Sequence, residues 1–106
     1  MKTYHGARTA EGCKVSVSDG TARKRPLGLR LDLRNHSPAG FEWGYGGSGP
    51  AQLALALLAD ACENDDVALC HYQQFKRAVI AGLPASWTLT EADIQRFVCE
   101  PRNRDD

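Results

Sequence analysis

The stretch GFEWGYGGSGPAQLALALLAD, which runs from Gly40 to Asp60, decides the fold of this chain. It joins an aromatic, strand-like run to a glycine-rich turn and then to an almost wholly apolar segment. Proline is favoured at the first position of a helix, so we predict a helix from Pro50 to about Cys62. Gln52 and Asp60 are the only polar residues between these two positions, which predicts a helix buried on most sides.

Two further helices are predicted downstream. Asn64 is a suitable N-cap for a helix that runs to about Ala81 and stops at Gly82. Thr90, with Asp93 three residues later, resembles the capping box of a third helix. Apolar residues recur at helical spacing in both segments and predict their core-facing sides: Ala68, Tyr72, Phe75, Val79, Ile94, Phe97 and Val98.

Strands are predicted where apolar and polar residues alternate. Lys2–Arg8 and Cys13–Ser18 are expected to form a hairpin around Glu11-Gly12. Leu27–Leu33 has leucine at every second position, and Phe41–Tyr45 has an aromatic residue at every second position. We therefore expect an α+β fold: a three- or four-stranded antiparallel sheet followed by about three helices packed on one face, which would be the leucine face.

Composition limits the classes of function. The 106 residues suit one domain, predicted over residues 1–99, with a charged and flexible tail at 100–106. Thirteen Lys and Arg residues balance thirteen Asp and Glu residues, so a nucleic-acid partner could be bound only by a local basic patch. The longest apolar run, Leu53–Ala59, is far shorter than the ~20 residues that span a bilayer. We expect a soluble, cytoplasmic protein with no membrane partner.

The four cysteines are widely spaced and contain no C-x-x-C pair. Such spacing fits neither a structural zinc motif nor a dense disulfide framework. We therefore expect reduced thiols at Cys13, Cys62, Cys70 and Cys99, no metal site and no cofactor.

The candidate ligand site lies immediately before the first predicted helix. Glycine-rich turns at helix N-termini can bind anions through free backbone amides. The loop has no lysine and no G-x-x-x-x-G-K-S/T pattern, and a tight connection that packs the helix against its neighbours would explain the same composition. The residues of this loop are Gly46, Gly47, Ser48 and Gly49.

Three other groups of residues flank this loop. Trp43 and Tyr45 suit a protein interface if they are exposed, because aromatic residues dominate binding energies. His36 and Glu42 could perform acid–base chemistry if they meet, although the surrounding residues also form an ordinary turn. Arg34 could hold an anion or, with other basic residues, contact nucleic acid. Those other basic residues are Arg23, Lys24, Arg25, Arg30, Lys76 and Arg77.

Several motifs together resemble a known protein family. They are Arg34-Asn35-His36-Ser37-Pro38, the run Gly40–Pro50, Gln52-Leu53-Ala54 and Tyr72-Gln73-Gln74-Phe75-Lys76. They are similar to the signature of an uncharacterised family, a domain of unknown function found in small bacterial, archaeal and viral proteins. Members are often encoded on plasmids and integrated elements, and the resemblance extends from Tyr4 to Thr90.

The resemblance implies an accessory protein of a mobile element or phage, with no assigned catalytic residues. Small proteins of such elements commonly bind a host component, so the resemblance suggests an anti-CRISPR or other anti-defence inhibitor that binds a host or defence-system protein. We therefore expect a non-enzymatic module that binds a protein partner stoichiometrically. The alternatives are a nucleotide- or small-anion-binding protein that uses the glycine-rich loop, and a nucleic-acid-binding protein. Contacts with a ligand or a partner are expected from Arg34, His36, Glu42, Trp43, Tyr45, Gly46, Gly47, Ser48 and Gly49.

Overall fold

The structure is a computed structural model that describes residues 1–20 and 23–99. The tail predicted at residues 100–106 lies outside the described residues. The elements follow in the order β1 (Thr3–Thr9), β2 (Gly12–Ser18), β3 (Lys24–Pro26), α1 (Ser48–Cys62), α2 (Asp65–Ala78), a 3₁₀ turn (Ile80–Gly82), β4 (Ser86–Thr90) and α3 (Glu91–Cys99).

The fold is α+β, as predicted, with a four-stranded antiparallel sheet in the order β3-β2-β1-β4. Tyr4 of the central strand β1 lies opposite Val17 on one side and Leu89 on the other. Tyr4, Val17 and Trp87 point into the hydrophobic core that the sheet shares with the helices. The strand β4 lies between α2 and α3 in sequence, so one strand follows the first two helices.

The three predicted helices are present, although α1 begins at Ser48, two residues before Pro50. Nearly every residue of α1 is buried, including Gln52, as its apolar composition predicted. The Asn64 side chain accepts a hydrogen bond from the Val67 amide and caps α2. Thr90 and Asp93 exchange the two hydrogen bonds of a capping box at the start of α3. None of the helices in the described residues is both long and apolar enough to span a bilayer.

The second helix ends earlier than predicted. It stops at Ala78, and the chain continues into the 3₁₀ turn Ile80–Gly82 instead of extending the α-helix to Ala81. The amides of Gly82 and Leu83 donate to the carbonyls of Val79 and Ile80, which completes this tighter turn. The predicted stop at Gly82 therefore coincides with the end of the 3₁₀ turn.

Two predicted strands are wrong. Leu27–Leu33 is not a strand, because Arg30 adopts a positive φ of 57° and the Leu33 amide donates to the Arg30 carbonyl. Its leucines therefore do not form one continuous face for the helices to cover. Phe41–Tyr45 is an irregular segment without a ladder partner among the described strands.

The sheet is completed instead by two short strands that were not predicted, β3 and β4. The basic run Lys24–Pro26 pairs with β2, immediately before the leucine-rich segment. Ser86–Thr90 pairs with β1, about eighty residues away in sequence. Lys24–Pro26 shows no alternation of apolar and polar residues, whereas Trp87 and Leu89 alternate with polar residues in Ser86–Thr90, a signal that sequence analysis missed.

Asp60 connects the end of α1 to the sheet. Its carboxylate accepts hydrogen bonds from the Tyr4 hydroxyl at 2.7 Å and from Arg25 at 2.8 Å, and it lies 3.0 Å from Lys2 Nζ. Burial acts to raise the pKa of Asp60, but the hydrogen bonds from Arg25, Tyr4 and Lys2 outweigh burial and hold the pKa below its ordinary value. The ionised carboxylate therefore stabilises the contact between helix and sheet.

We expect Asp60→Asn to lower the free energy of unfolding by about 2 kcal/mol at neutral pH, because Arg25 loses its counter-charge and, among the described residues, Lys2 keeps only its pairing with Glu63 at 3.4 Å. A carboxyl group with a lowered pKa in the folded state stabilises the protein above its unfolded pKa of about 4, and this stability is lost as the pH falls further. Urea unfolding at neutral and acidic pH should show a smaller acid-induced loss in Asp60→Asn than in the wild type. The same loss in both proteins would contradict this role.

Candidate functional site

Buried aromatic side chains hold the segment that precedes α1. Phe41 is 9% exposed and Trp43 is fully buried. At Gly44 the backbone adopts a φ of +88°, which glycine tolerates, and the Gly44 amide donates to the Ile80 carbonyl at 3.0 Å. After this turn, Tyr45 lies on the surface with 51% of its area exposed. The predicted alternation would place Phe41, Trp43 and Tyr45 on one side. Phe41 and Trp43 are both buried, but the turn at Gly44 places Tyr45 on the surface.

Arg8 of β1 supports the segment from the sheet. Its Nη2 donates to the Glu42 carboxylate at 2.8 Å and to the Trp43 carbonyl at 2.9 Å. Its guanidinium also lies over the Trp43 ring, 5.2 Å from the ring centroid. The hydrogen bond from Arg8 is the largest cause of the lowered pKa of Glu42. Sequence analysis missed Arg8, since no local pattern links it to a partner 34 residues away.

Trp43 packs edge-to-face against Trp87, with ring centroids 5.5 Å apart and planes at 90°. The Nε1 atoms of both indoles are buried without a hydrogen-bond partner in the described part of the chain. Because Trp43 is fully buried, it cannot contact a partner directly in this conformation. Trp43 instead anchors the segment in the core immediately before Gly44 and Tyr45.

Close packing explains three of the glycines between residues 44 and 49. A Cβ at Gly44 would lie 3.3 Å from the Leu83 carbonyl oxygen. A Cβ at Gly47 would lie 2.8 Å from the Tyr45 ring, and one at Gly49 would lie 2.7 Å from the Glu42 Cβ. These approaches fit the interpretation of the loop as a tight connection, and none of them requires a bound ligand.

Pro50 and Ala51 offer no free amide to an anion at the start of α1. Gly49 is buried, Pro50 has no amide hydrogen, and the Ala51 amide donates to the Gly47 carbonyl at 3.0 Å. Ser48 is exposed, and so is Gly46, where a Cβ would meet no atom within 4 Å. The exposed residues of the loop therefore form an open surface around Tyr45.

Gln52 organises the segment that contains Arg34 and His36. Its side-chain oxygen accepts hydrogen bonds from the His36 and Ser37 amides at 2.8 and 2.9 Å. Its side-chain nitrogen donates to the Leu29 and Arg34 carbonyls at 2.6 and 3.0 Å. Gln52, the buried polar residue of α1, thus satisfies four backbone groups of the preceding segment.

His36 and Glu42 have different partners. The Nε2 atom of His36 lies 2.8 Å from the Tyr72 hydroxyl of α2, whereas Glu42 binds Arg8 of β1. The hydrogen bonds of these two side chains therefore lead to different elements and do not form an acid–base pair. Arg34 is exposed, and its Nη1 donates to the Leu33 carbonyl at 2.7 Å.

Carboxylates neutralise two of the arginines considered for nucleic-acid binding. Arg25 pairs with Asp60 at 2.8 Å. Arg30 pairs with Asp32 at 3.0 Å and with Asp65 at 3.1 Å. A phosphate would have to compete with these carboxylates for both guanidinium groups.

The four thiols are free. Cys13 and Cys62 are partly buried, and burial is the largest cause of their raised pKa values. Cys70 and Cys99 are exposed. In residues 1–20 and 23–99, no group of three or more His, Cys, Asp or Glu side chains is arranged to hold a metal ion.

Comparison with known proteins identifies the family of the chain. No curated protein and no solved structure matches it. A protein-family profile matches residues 4–100, which cover both the sheet and all three helices, and it is described as a family of unknown function (DUF6166). The resemblance inferred from the central motifs is thus confirmed at the level of a domain of unknown function. The chain belongs to the DUF6166 family.

Proposed function

We propose that this protein is a non-enzymatic binding module that acts by stoichiometric contact with a protein partner. The contact is made by residues 44–48, named here the Tyr45 loop. The observation that carries the proposal is the half-exposed Tyr45 ring on a segment that lies between the Gly44–Ile80 hydrogen bond and the start of α1. Met1, Leu31 and Tyr45 are the large hydrophobic residues exposed in the described chain, and Tyr45 alone among them is aromatic.

Contacts that fix the conformation of the Tyr45 loop favour binding. The Gly44 amide is bonded to Ile80, and the Tyr45 ring lies against Gly47. Little conformational entropy is then lost when a partner packs on Tyr45, because the ring has few rotatable bonds and its backbone is already ordered. Gly44, Gly46 and Ser48 are exposed, so a partner backbone can approach the ring closely.

The partner that we propose is a host protein. The most specific version of this proposal is that the partner belongs to a defence system such as CRISPR. The support for this class is the plasmid and integrated-element setting of the family that the motifs resemble. A mobile-element or phage origin of the gene is part of the same proposal. Inhibition by stoichiometric binding needs no catalytic group, which agrees with the separate partners of His36 and Glu42.

Site-specific photo-cross-linking tests the interface. A benzophenone amino acid at position 45, introduced in cells that naturally carry the gene, should give one protein adduct of defined mass. The same group at Glu11, exposed at the hairpin turn, should not give that adduct. Equal adducts from both positions, or none from position 45, would refute the Tyr45 loop as the interface.

Once the adduct is identified, we expect Tyr45→Ala to weaken binding by about 30-fold, since an aromatic hot spot contributes about 2 kcal/mol. Leu31→Ala, which truncates another exposed hydrophobic residue, should change the affinity less than threefold. Tyr45→Phe separates the contribution of the ring from that of the hydroxyl. Isothermal titration calorimetry measures affinity and stoichiometry together, and an unchanged affinity in Tyr45→Ala would contradict the proposal.

A further inference from the structure

The two edges of the sheet differ in their protection against pairing with another strand. At the β3 edge, the Leu27 amide donates to the Val15 carbonyl, which fixes the alternation of this ladder. Lys24 and Pro26 therefore direct their backbone groups away from β2. Pro26 has no amide hydrogen, and lysine and proline are the residues that commonly block edge strands. This edge is closed to a further strand.

The β4 edge has no such protection. The Arg8 amide donates to the Ala85 carbonyl, and the Glu91 amide donates to the Lys2 carbonyl, so the odd-numbered residues of β4 bond to β1. Ser86 and Thr88 then direct their amides and carbonyls outward. Both residues are exposed, and no backbone partner reaches these groups within residues 1–20 and 23–99.

An apolar groove of about 210 Å³ lies beside this open edge. Leu89 belongs to both features, since it is in β4 next to Thr88 and also lines the groove. The other apolar residues of the groove come from α2, α3 and the residue after α2: Phe75, Val79, Ile94 and Phe97. A strand added to β4 would direct every second side chain toward the helix side of the sheet, where this groove lies.

The rim of the groove carries a cation with spare hydrogen-bonding capacity. Arg96 is 60% exposed, and its Nη1 lies at the long distance of 3.5 Å from Asp93 Oδ1. The other oxygen of Asp93 already accepts the Thr90 amide in the capping box. Asp93 also lines the groove, and a guanidinium has five N–H donors, so Arg96 can bind a ligand carboxylate in addition to Asp93.

From these features we propose that β4 and the adjoining groove bind an extended peptide segment of a partner protein by strand addition. The segment has apolar residues at alternate positions and an acidic residue that reaches Arg96. Main-chain hydrogen bonds to Ser86 and Thr88 supply general affinity, and the groove supplies selectivity. This surface uses residues different from those of the Tyr45 loop, and the inference does not depend on the proposed function.

A second copy of the chain fits this surface less well. The five residues of β4 extend over about 17 Å, so two copies of β4 could form only a short ladder. A stable dimer buries about 800 Å² on each partner, and such a ladder would have to be extended by further contacts. The Trp87 side chain on the inner face of β4 is 7% exposed and already packs in its own core. A second β4 would therefore bring no free aromatic side chain to fill the groove.

The test uses a displayed library of random 12-residue peptides selected on the full chain. The most enriched sequence is then synthesised with a fluorescent label, and its affinity is measured by anisotropy. We expect enriched peptides with alternating apolar residues and an Asp or Glu. Thr88→Pro, which removes one outward amide and no bond to β1, should weaken binding at least tenfold. Arg96→Glu should weaken it at least fivefold and shift a repeated selection toward Lys and Arg.

Two matched variants separate pairing from incidental effects. Thr88→Ala removes the hydroxyl that contacts His5 Nδ1 but keeps the amide, and it should bind like the wild type. Lys24→Pro alters an outward position on the opposite edge and should also leave binding unchanged. Thermal unfolding followed by circular dichroism shows whether Thr88→Pro is folded, and the exposed Arg96→Glu tests the same surface if it is not.

Three outcomes would overturn the inference. The first is a failure to enrich any peptide. The second is an enriched peptide whose affinity changes in neither Thr88→Pro nor Arg96→Glu. If the binding of that peptide is lost in Tyr45→Ala, the Tyr45 loop is the peptide site. The third is a dimer, detected by light scattering and abolished by Thr88→Pro, which would show a second copy as the occupant.

Discussion

Gly6→Ala is expected to lower the free energy of unfolding by about 3 kcal/mol, because a buried site without free volume cannot accept an added methyl group. A Cβ at residue 6 would overlap the six-membered ring and Nε1 of Trp87. Trp87 cannot easily move away, since it is 7% exposed and packs against the fully buried Trp43. Gly6 is also in the central strand, so a backbone shift would disturb its pairing with both neighbours.

Urea unfolding with Gly46→Ala as the matched control measures this effect. Gly46 is exposed and a Cβ there would meet no atom within 4 Å, so its substitution should change stability by less than about 0.5 kcal/mol. In a Trp87→Leu background, Gly6→Ala should cost less than in the wild type, because the ring that the methyl group meets is absent. A Gly6→Ala protein as stable as the wild type would contradict the packing described for Trp87.

Gln52→Leu is expected to lower the free energy of unfolding by about 4 kcal/mol. The side chain is fully buried and makes four hydrogen bonds with backbone groups between Leu29 and Ser37. Leucine keeps the approximate volume but leaves those groups without partners, and each unsatisfied buried group costs about 1–3 kcal/mol. The expected total is below the full sum because some of these groups can reach water when the segment loosens.

Gln95→Leu is the matched control for this substitution. The Gln95 side chain donates to the Ala61 carbonyl at 2.7 Å and to the Glu91 carboxylate at 3.2 Å, so fewer backbone groups depend on it than on Gln52. We expect a loss of about 1 kcal/mol. Hydrogen exchange should also show faster exchange of the His36 and Ser37 amides in Gln52→Leu. Equal losses in the two variants would refute the central role of Gln52.

Local signals were sufficient for the three helices and for the first hairpin. The Asn64 cap and the Thr90–Asp93 capping box depend on residues three positions apart, so sequence alone identifies them. The burial of α1 followed from its composition. The alternation in Cys13–Ser18 predicted β2, because one face of that strand packs on the core.

The same alternation failed for Leu27–Leu33. Its pattern matches a strand, but its backbone hydrogen bonds go elsewhere. The Leu29 carbonyl is satisfied by Gln52, 23 residues away, and a turn forms at Arg30. Alternation reports which residues favour burial, whereas strand formation also requires a neighbouring strand with free backbone groups.

The candidate site was predicted in part. The sequence located a glycine-rich connection before α1 and the aromatic residues beside it, but it could not separate Trp43 from Tyr45. Trp43 is buried against Trp87 and Arg8, whereas the turn at Gly44 exposes Tyr45. Both supporting residues are far from the loop in sequence, so no local pattern identified them.

By itself, the sequence determined the α+β class, the positions of the three helices and the start of the glycine-rich connection. These features depend on hydrophobic periodicity, capping and turn chemistry, which act over a few neighbouring residues. Only the tertiary structure decided which strands complete the sheet, which aromatic residue faces solvent and which sheet edge is open. These properties depend on contacts between distant segments, because a backbone group or an aromatic ring is buried only when another part of the chain packs against it.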